Sequence, residues 1–149
     1  MSDTARVLLT AAVLSAATLA TFAWRLLAVD PDEPARLIGE LRLAQWAAVL
    51  LAATGAISIG LALGHMAVPM ANWDAAIGIL FIGIAGFILQ RDPREALLIL
   101  AAAFVVQALV NIAHRPGWLT PDLAPRWFTI GCAMYDVLLA GVCFWARRR

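Results

Sequence analysis

The sequence predicts an all-α polytopic membrane protein: a compact bundle of five transmembrane helices forming one domain over residues 1–149. Three observations carry this expectation. Five apolar stretches, Val7–Val29, Leu43–Gly64, Trp73–Leu89, Ala96–Ala113 and Trp127–Trp145, are each long enough to cross a hydrocarbon core of about 30 Å. Hydrophobic residues make up 63% of the chain and charged ones 14%, against about 45–50% and about 25% in soluble domains, so a soluble fold has too little polar surface to cover it. The tryptophans agree with these limits. Trp24, Trp73, Trp118, Trp127 and Trp145 fall at stretch ends and Trp46 about one turn inside, at the headgroup level where a half-buried indole keeps its N–H wet.

The first stretch carries a small-x-small pattern, Thr21-Phe22-Ala23, of the kind that ends a secretory signal. Its leading segment has only Arg6, offset by Asp3, so the stretch is expected to remain as a span. Asp30-Pro31-Asp32-Glu33-Pro34 then breaks the helix twice, because each proline lacks a donor and restrains the residue before it. Ala35–Arg42 is expected to be a short interfacial turn or the frayed start of the second helix. In that second span Ala48, Ala52, Ala56, Gly60 and Gly64 recur every fourth residue and line one face, a stripe suited to close helix–helix approach. The stripe serves either tight packing within one copy or docking of another subunit.

Between spans two and three, His65–Asn72 with Pro69 makes a turn, and Asp74 follows in the first turn of span three, where a carboxylate meets the positive helix end. Span three repeats the small-residue theme with Gly78, Gly83 and Gly86. Asp92-Pro93-Arg94-Glu95 suits a helix start, with an Asp cap, Pro at the first helical position and Glu at the third. The connection Arg115–Arg126 holds Pro116, Gly117, Pro121 and Pro125 and is expected to be irregular. No internal repeat, low-complexity tract or soluble domain interrupts this plan.

Polar residues inside spans are the candidate functional groups. Gln107, Asn111 and His114 stand at i, i+4 and i+7 and point from one face of span four at rising height. Asp136, near the middle of span five, and its neighbour Tyr135 lie at a depth comparable to Gln107. No arginine is expected at that depth, and an unpartnered carboxylate there faces a large desolvation cost. Asp136, Gln107, Asn111 and Tyr135 therefore form a candidate buried polar site, read either as structural glue between spans four and five or as a proton or ion site. Ser15 and Thr18 on span one and Thr54 and Ser58 on span two add hydroxyls near mid-membrane. His65 and His114, at matching span ends, with Met66 and Met70 beside the first, are the only residues that suggest haem or copper. No metal-ligand spacing supports that reading, a histidine at a helix C-terminus also suits the dipole, and no cofactor is predicted.

Catalysis has no residues to support it. There is no nucleophile elbow, phosphate loop, paired catalytic carboxylates or zinc-protease motif. Cys132 and Cys143, eleven residues apart, are separated by about 16 Å along one helix and cannot form a disulfide with each other. The formal net charge of +1 and the scattered arginines exclude a nucleic-acid surface. The charged approach Glu40-Leu41-Arg42 to a small-residue helix and the Arg91–Arg94 hairpin faintly resemble the DoxX-like small membrane proteins over the middle half of the chain. Those resemble four-helix units, and no residue role or activity is carried over. The expected role is a non-catalytic accessory or assembly subunit packed in the bilayer against larger membrane partners. The alternatives are a small homo-oligomeric transporter or channel for protons, ions or a small solute, and a haem- or copper-binding subunit.

With five crossings, Arg25, Arg36, Arg42, Arg91, Arg94, Arg147, Arg148 and Arg149 lie on one side and Arg6, Arg115 and Arg126 on the other. The positive-inside rule then places the N-terminus outside and the C-terminus in the cytoplasm of a bacterial-type inner membrane. A cysteine placed at Asp122 is expected to react with an impermeant thiol reagent applied to intact cells, while one placed at Asp32 stays protected. The reverse pattern would refute the orientation, and equal labelling of both would refute an odd number of crossings between the two sites.

Overall fold

The computed structural model describes residues 3–64, 71–114, 119 and 124–148. Five helices follow one another: α1 Asp3–Leu27, α2 Pro34–Gly64, α3 Ala71–Ile88, α4 Pro93–Ala113 and α5 Arg126–Arg147. Each is long and apolar enough to cross a membrane. The helix limits agree with the expected spans to within a few residues at every end but one. α2 begins at Pro34 instead of Leu43, so Ala35–Arg42 is regular helix.

Local chemistry explains that start. Asp30 accepts a hydrogen bond from the Asp32 backbone N–H at 3.0 Å, closing an Asx turn. Pro34 then opens the helix where a missing N–H costs nothing and a fixed φ helps. α4 starts by the same logic and as expected: Asp92 caps the helix through the Arg94 N–H at 3.0 Å, and Pro93 follows it. At 31 residues α2 is about 46 Å long, so roughly the first ten residues extend past a 30 Å core.

That protruding part carries a buried ionic network. Arg36 and Glu40 are only 1% and 2% exposed. Arg36 Nε donates to Glu40 Oε1 at 2.8 Å, Nη1 to the Leu26 carbonyl at 2.6 Å and Nη2 to the Ala146 carbonyl at 3.3 Å. The other Glu40 oxygen accepts from Arg94 Nε at 3.2 Å. One guanidinium thus satisfies carbonyls at the C-terminal ends of α1 and α5, where backbone acceptors lack helical partners.

These contacts fix the directions of the helices. The ends of α1 and α5 meet the starts of α2 and α4 at this arginine end, so α1 and α5 run together and α2 and α4 run against them. Trp24 and Trp145, with ring centroids 5.7 Å apart, mark the same end of the α1–α5 pair. At the opposite end, His114 at the close of α4 meets Asp74 at the start of α3. α4 packs most extensively against α5, and α2 against α3, with Leu43, Leu51, Leu97, Leu100, Phe104 and Leu139 buried where the two pairs meet.

The close approach of α2 and α3 departs from the expected stripe. A Cβ on Gly55 would lie 2.8 Å from the Gly78 carbonyl oxygen, and one on Gly78 would lie 2.6 Å from the Gly55 carbonyl oxygen. Gly60 and Gly64 have nothing within 4 Å of an added Cβ, Ala56 is exposed and Ala52 half-buried. Within one copy, then, the contact face lies one residue around from the outer part of the Ala52, Ala56, Gly60, Gly64 row. Gly83 and Gly86 are equally open, leaving Gly78 as the packing glycine of α3.

Two stability outcomes follow. Gly55→Leu should lower unfolding free energy in detergent by about 1–3 kcal/mol or more through overpacking, while Gly60→Leu leaves the monomer within about 0.5 kcal/mol. Arg36→Leu should cost about 3–5 kcal/mol, because it leaves Glu40 Oε1 and two helix-end carbonyls without their donor. Equal tolerance of all three substitutions would contradict this packing.

Candidate polar site

Asp136 is the eleventh of the 22 residues of α5 and is completely buried. Its Oδ2 accepts from Asn111 Nδ2 of α4 at 2.9 Å, whereas Oδ1 has no partner. Gln107, one turn before Asn111 and 4% exposed, likewise has an unpartnered Oε1. Among the described residues no arginine or histidine pairs with Asp136. Two buried acceptors without donors in one small region are unusual, since such groups are nearly always hydrogen-bonded.

The i, i+4, i+7 spacing on α4 brings Gln107, Asn111 and His114 to a single cavity, as the shared helical face required. The cavity measures about 20 Å³, room for one water molecule, and Ser58 of α2, Asp74 of α3 and Thr129 of α5 complete its polar wall. His114 is fixed at both nitrogens: Nδ1 lies 2.8 Å from the Val110 carbonyl oxygen and Nε2 lies 2.9 Å from Asp74 Oδ1. A carbonyl oxygen only accepts, so Nδ1 carries a proton, and the contact between Nε2 and Asp74 holds another. Asp74, in the first turn of α3, is only 2% exposed.

Sequence reasoning saw Asp74 as a helix-start carboxylate and His114 as a capping residue or weak metal candidate, and so missed their pairing. No signal in either local sequence could have revealed it, because the partners are forty residues apart on different helices. As placed, His114 has no nitrogen free for a metal. His65, Met66 and Met70 lie outside the described residues. Tyr135 leaves the proposed group: its hydroxyl is 2.8 Å from Ser15 Oγ of α1, because adjacent residues point about 100° apart around a helix. Thr18, Thr54 and Ser58 turn their hydroxyls to carbonyls of their own helices.

The polar groups occupy one half of the bundle. From Asp136 to Ala146, where Arg36 reaches α5, runs about 15 Å of helix. Leu139, Ala140 and Cys143 of α5 fill that interval with Leu97 and Leu100 of α4 and Leu43 of α2. No family model, curated protein or solved structure matches this chain. The DoxX-like resemblance of the central hairpin thus gains no support from these comparisons.

The geometry makes Asn111 the partner of Asp136. Asn111→Leu should lower stability by about 0.6–2 kcal/mol, the worth of one intramembrane polar contact. Gln107→Leu, which removes an acceptor lacking a donor, should be neutral or stabilising. Detergent unfolding of both variants checks the order, and a larger loss for Gln107→Leu would contradict this assignment.

Proposed function

We propose that this chain is a small integral membrane protein whose activity rests on reversible proton binding at Asp136. The observation that carries this reading is the fully buried carboxyl with an unpartnered Oδ1 and, among the described residues, no cation paired with it. Intramembrane acids often mark proton or ion pathways, and Asn111, the partner of Asp136, lines the polar cavity. A purely structural role would be served by an asparagine, which bonds to Asn111 without the desolvation cost of a carboxylate. The apolar interval beyond Asp136 leaves a single copy without a polar route across the membrane. On this reading a second copy or another membrane subunit completes the path.

That same interval favours a second reading, a non-catalytic accessory subunit in which Asp136 and Asn111 join α4 to α5. Reconstitution in liposomes with an imposed proton gradient separates the two. Under the proton reading, the protein dissipates the gradient, Asp136→Asn abolishes the flux, and the melting temperature of that variant stays close to wild type. Flux unchanged in Asp136→Asn would overturn the proton reading. No flux, together with larger membrane proteins retained through mild-detergent purification, would favour the accessory role.

A further inference from the structure

We propose that the cavity lined by Ser58, Gln107, Asn111 and Thr129 binds one monovalent cation, stripped of its water shell and held by neutral oxygens. This site needs no proton transfer and does not rest on the proton-binding reading of Asp136. What selects a cation is that the donors around the cavity are already spent. The Ser58 hydroxyl donates to the Thr54 carbonyl at 3.2 Å and the Thr129 hydroxyl to the Arg126 carbonyl at 3.1 Å, so each can offer the cavity only oxygen lone pairs. Asn111 has turned its amide nitrogen to Asp136 Oδ2 at 2.9 Å, which leaves Oδ1 as its acceptor. Gln107 is 4% exposed, and its Oε1 has no partner. Buried acceptors without donors are costly, and a cation among them offsets that cost for all at once, whereas a water has only two hydrogens to share.

Size and charge narrow the class. At about 20 Å³ the cavity takes one water-sized occupant, which admits a bare sodium, potassium or ammonium ion and no hydrated one. Zinc and its neighbours want nitrogen, sulfur or carboxylate ligands, and among the described residues no three His, Cys, Asp or Glu side chains gather. Calcium and magnesium are bound through carboxylates, and Asp74, the one carboxylate lining the cavity, is paired with His114 at 2.9 Å. His114 has both nitrogens engaged, by Asp74 and by the Val110 carbonyl, and supplies no ligand. Neutral carbonyl and hydroxyl oxygens remain, the kind of ligand that replaces the hydration shell of a monovalent ion. Asp136 is not a ligand and acts through Asn111: an amide whose N–H end faces a carboxylate presents its oxygen, the negative end of its dipole, away from it.

Melting of the full-length protein in detergent, in sodium, potassium or ammonium chloride against choline chloride at equal ionic strength, tests this. Choline is too large for the cavity. At least one of the three small cations should raise the melting temperature by about 2–4 °C over choline, and the ion that does so most effectively identifies the occupant. Gln107→Leu and Thr129→Val each remove one oxygen and should shift the salt concentration needed for that rise upward at least about tenfold. In choline chloride Gln107→Leu should melt at or above the wild-type temperature, which separates a lost ligand from a damaged fold. Thr54→Val removes a hydroxyl that does not line the cavity and should keep the rise. Equal melting in all four salts would overturn the site and leave the cavity to water, and so would a rise that Gln107→Leu and Thr129→Val retain at the wild-type salt concentration.

Discussion

Arg36 is the constraint on which the remaining architecture depends. Helix ends at a membrane boundary leave carbonyl oxygens that neither lipid nor the helix can satisfy. Here two such ends, of α1 and α5, converge on one guanidinium that is also paired with Glu40. Glu40 in turn holds Arg94 at the start of α4. Two arginines share one glutamate, and the surplus positive charge sits against the negative dipole ends of α1 and α5. Four of the five helices are thereby registered at one level, and the apolar side chains above it can interdigitate without help from a hydrophobic force between helices. α3 stands outside this network. It is held instead by backbone contact at Gly55 and Gly78 and by Asp74 at its far end.

What could be read in advance was whatever depended on neighbours in sequence. The number of spans followed from runs of apolar residues, and the α4 start followed from Asp92 and Pro93, because both are local. The face shared by Gln107, Asn111 and His114 followed from helical period alone. The ionic network did not, since a search for apolar runs places Arg36 and Glu40 outside the spans by definition. Their partners, at Leu26, Arg94 and Ala146, are 10, 54 and 110 residues away. The packing glycine was missed for a different reason. A four-residue repeat of small residues drew attention to Gly60, yet close approach needs small residues opposite each other on two helices, and only Gly55 has its counterpart in Gly78. Tyr135 was grouped with Asp136 by depth, while the direction of a side chain is set by angle around the helix.

The two ends of the bundle handle buried charge in opposite ways. At the arginine end Glu40 is matched by two cations within 3.2 Å and all three Arg36 nitrogens donate, which suits a fixed joint. In and beside the cavity the amides of Gln107 and Asn111 and the hydroxyls of Ser58 and Thr129 accompany Asp74, His114 and Asp136, and two acceptors lack donors. Such incomplete satisfaction is a poor way to build a rigid core, because half-satisfied polar groups in low dielectric are worse than apolar ones. It is a workable way to hold a proton or a water that comes and goes.

The placement of the apolar layer follows from the same contrast. If the polar groups were continuous from Asp74 to Glu40, water could reach the ionic joint from the far side and weaken the pairing that holds α1, α2, α4 and α5 together, since charge pairs lose strength as the dielectric rises. About 15 Å of Leu, Ala and Cys between Asp136 and the Ala146 carbonyl keeps the joint dry on that flank. The apolar layer is thus also what preserves the ionic joint. Under the proton reading proposed above, a path would have to run along an outer face of the bundle and not through the centre of α2, α4 and α5.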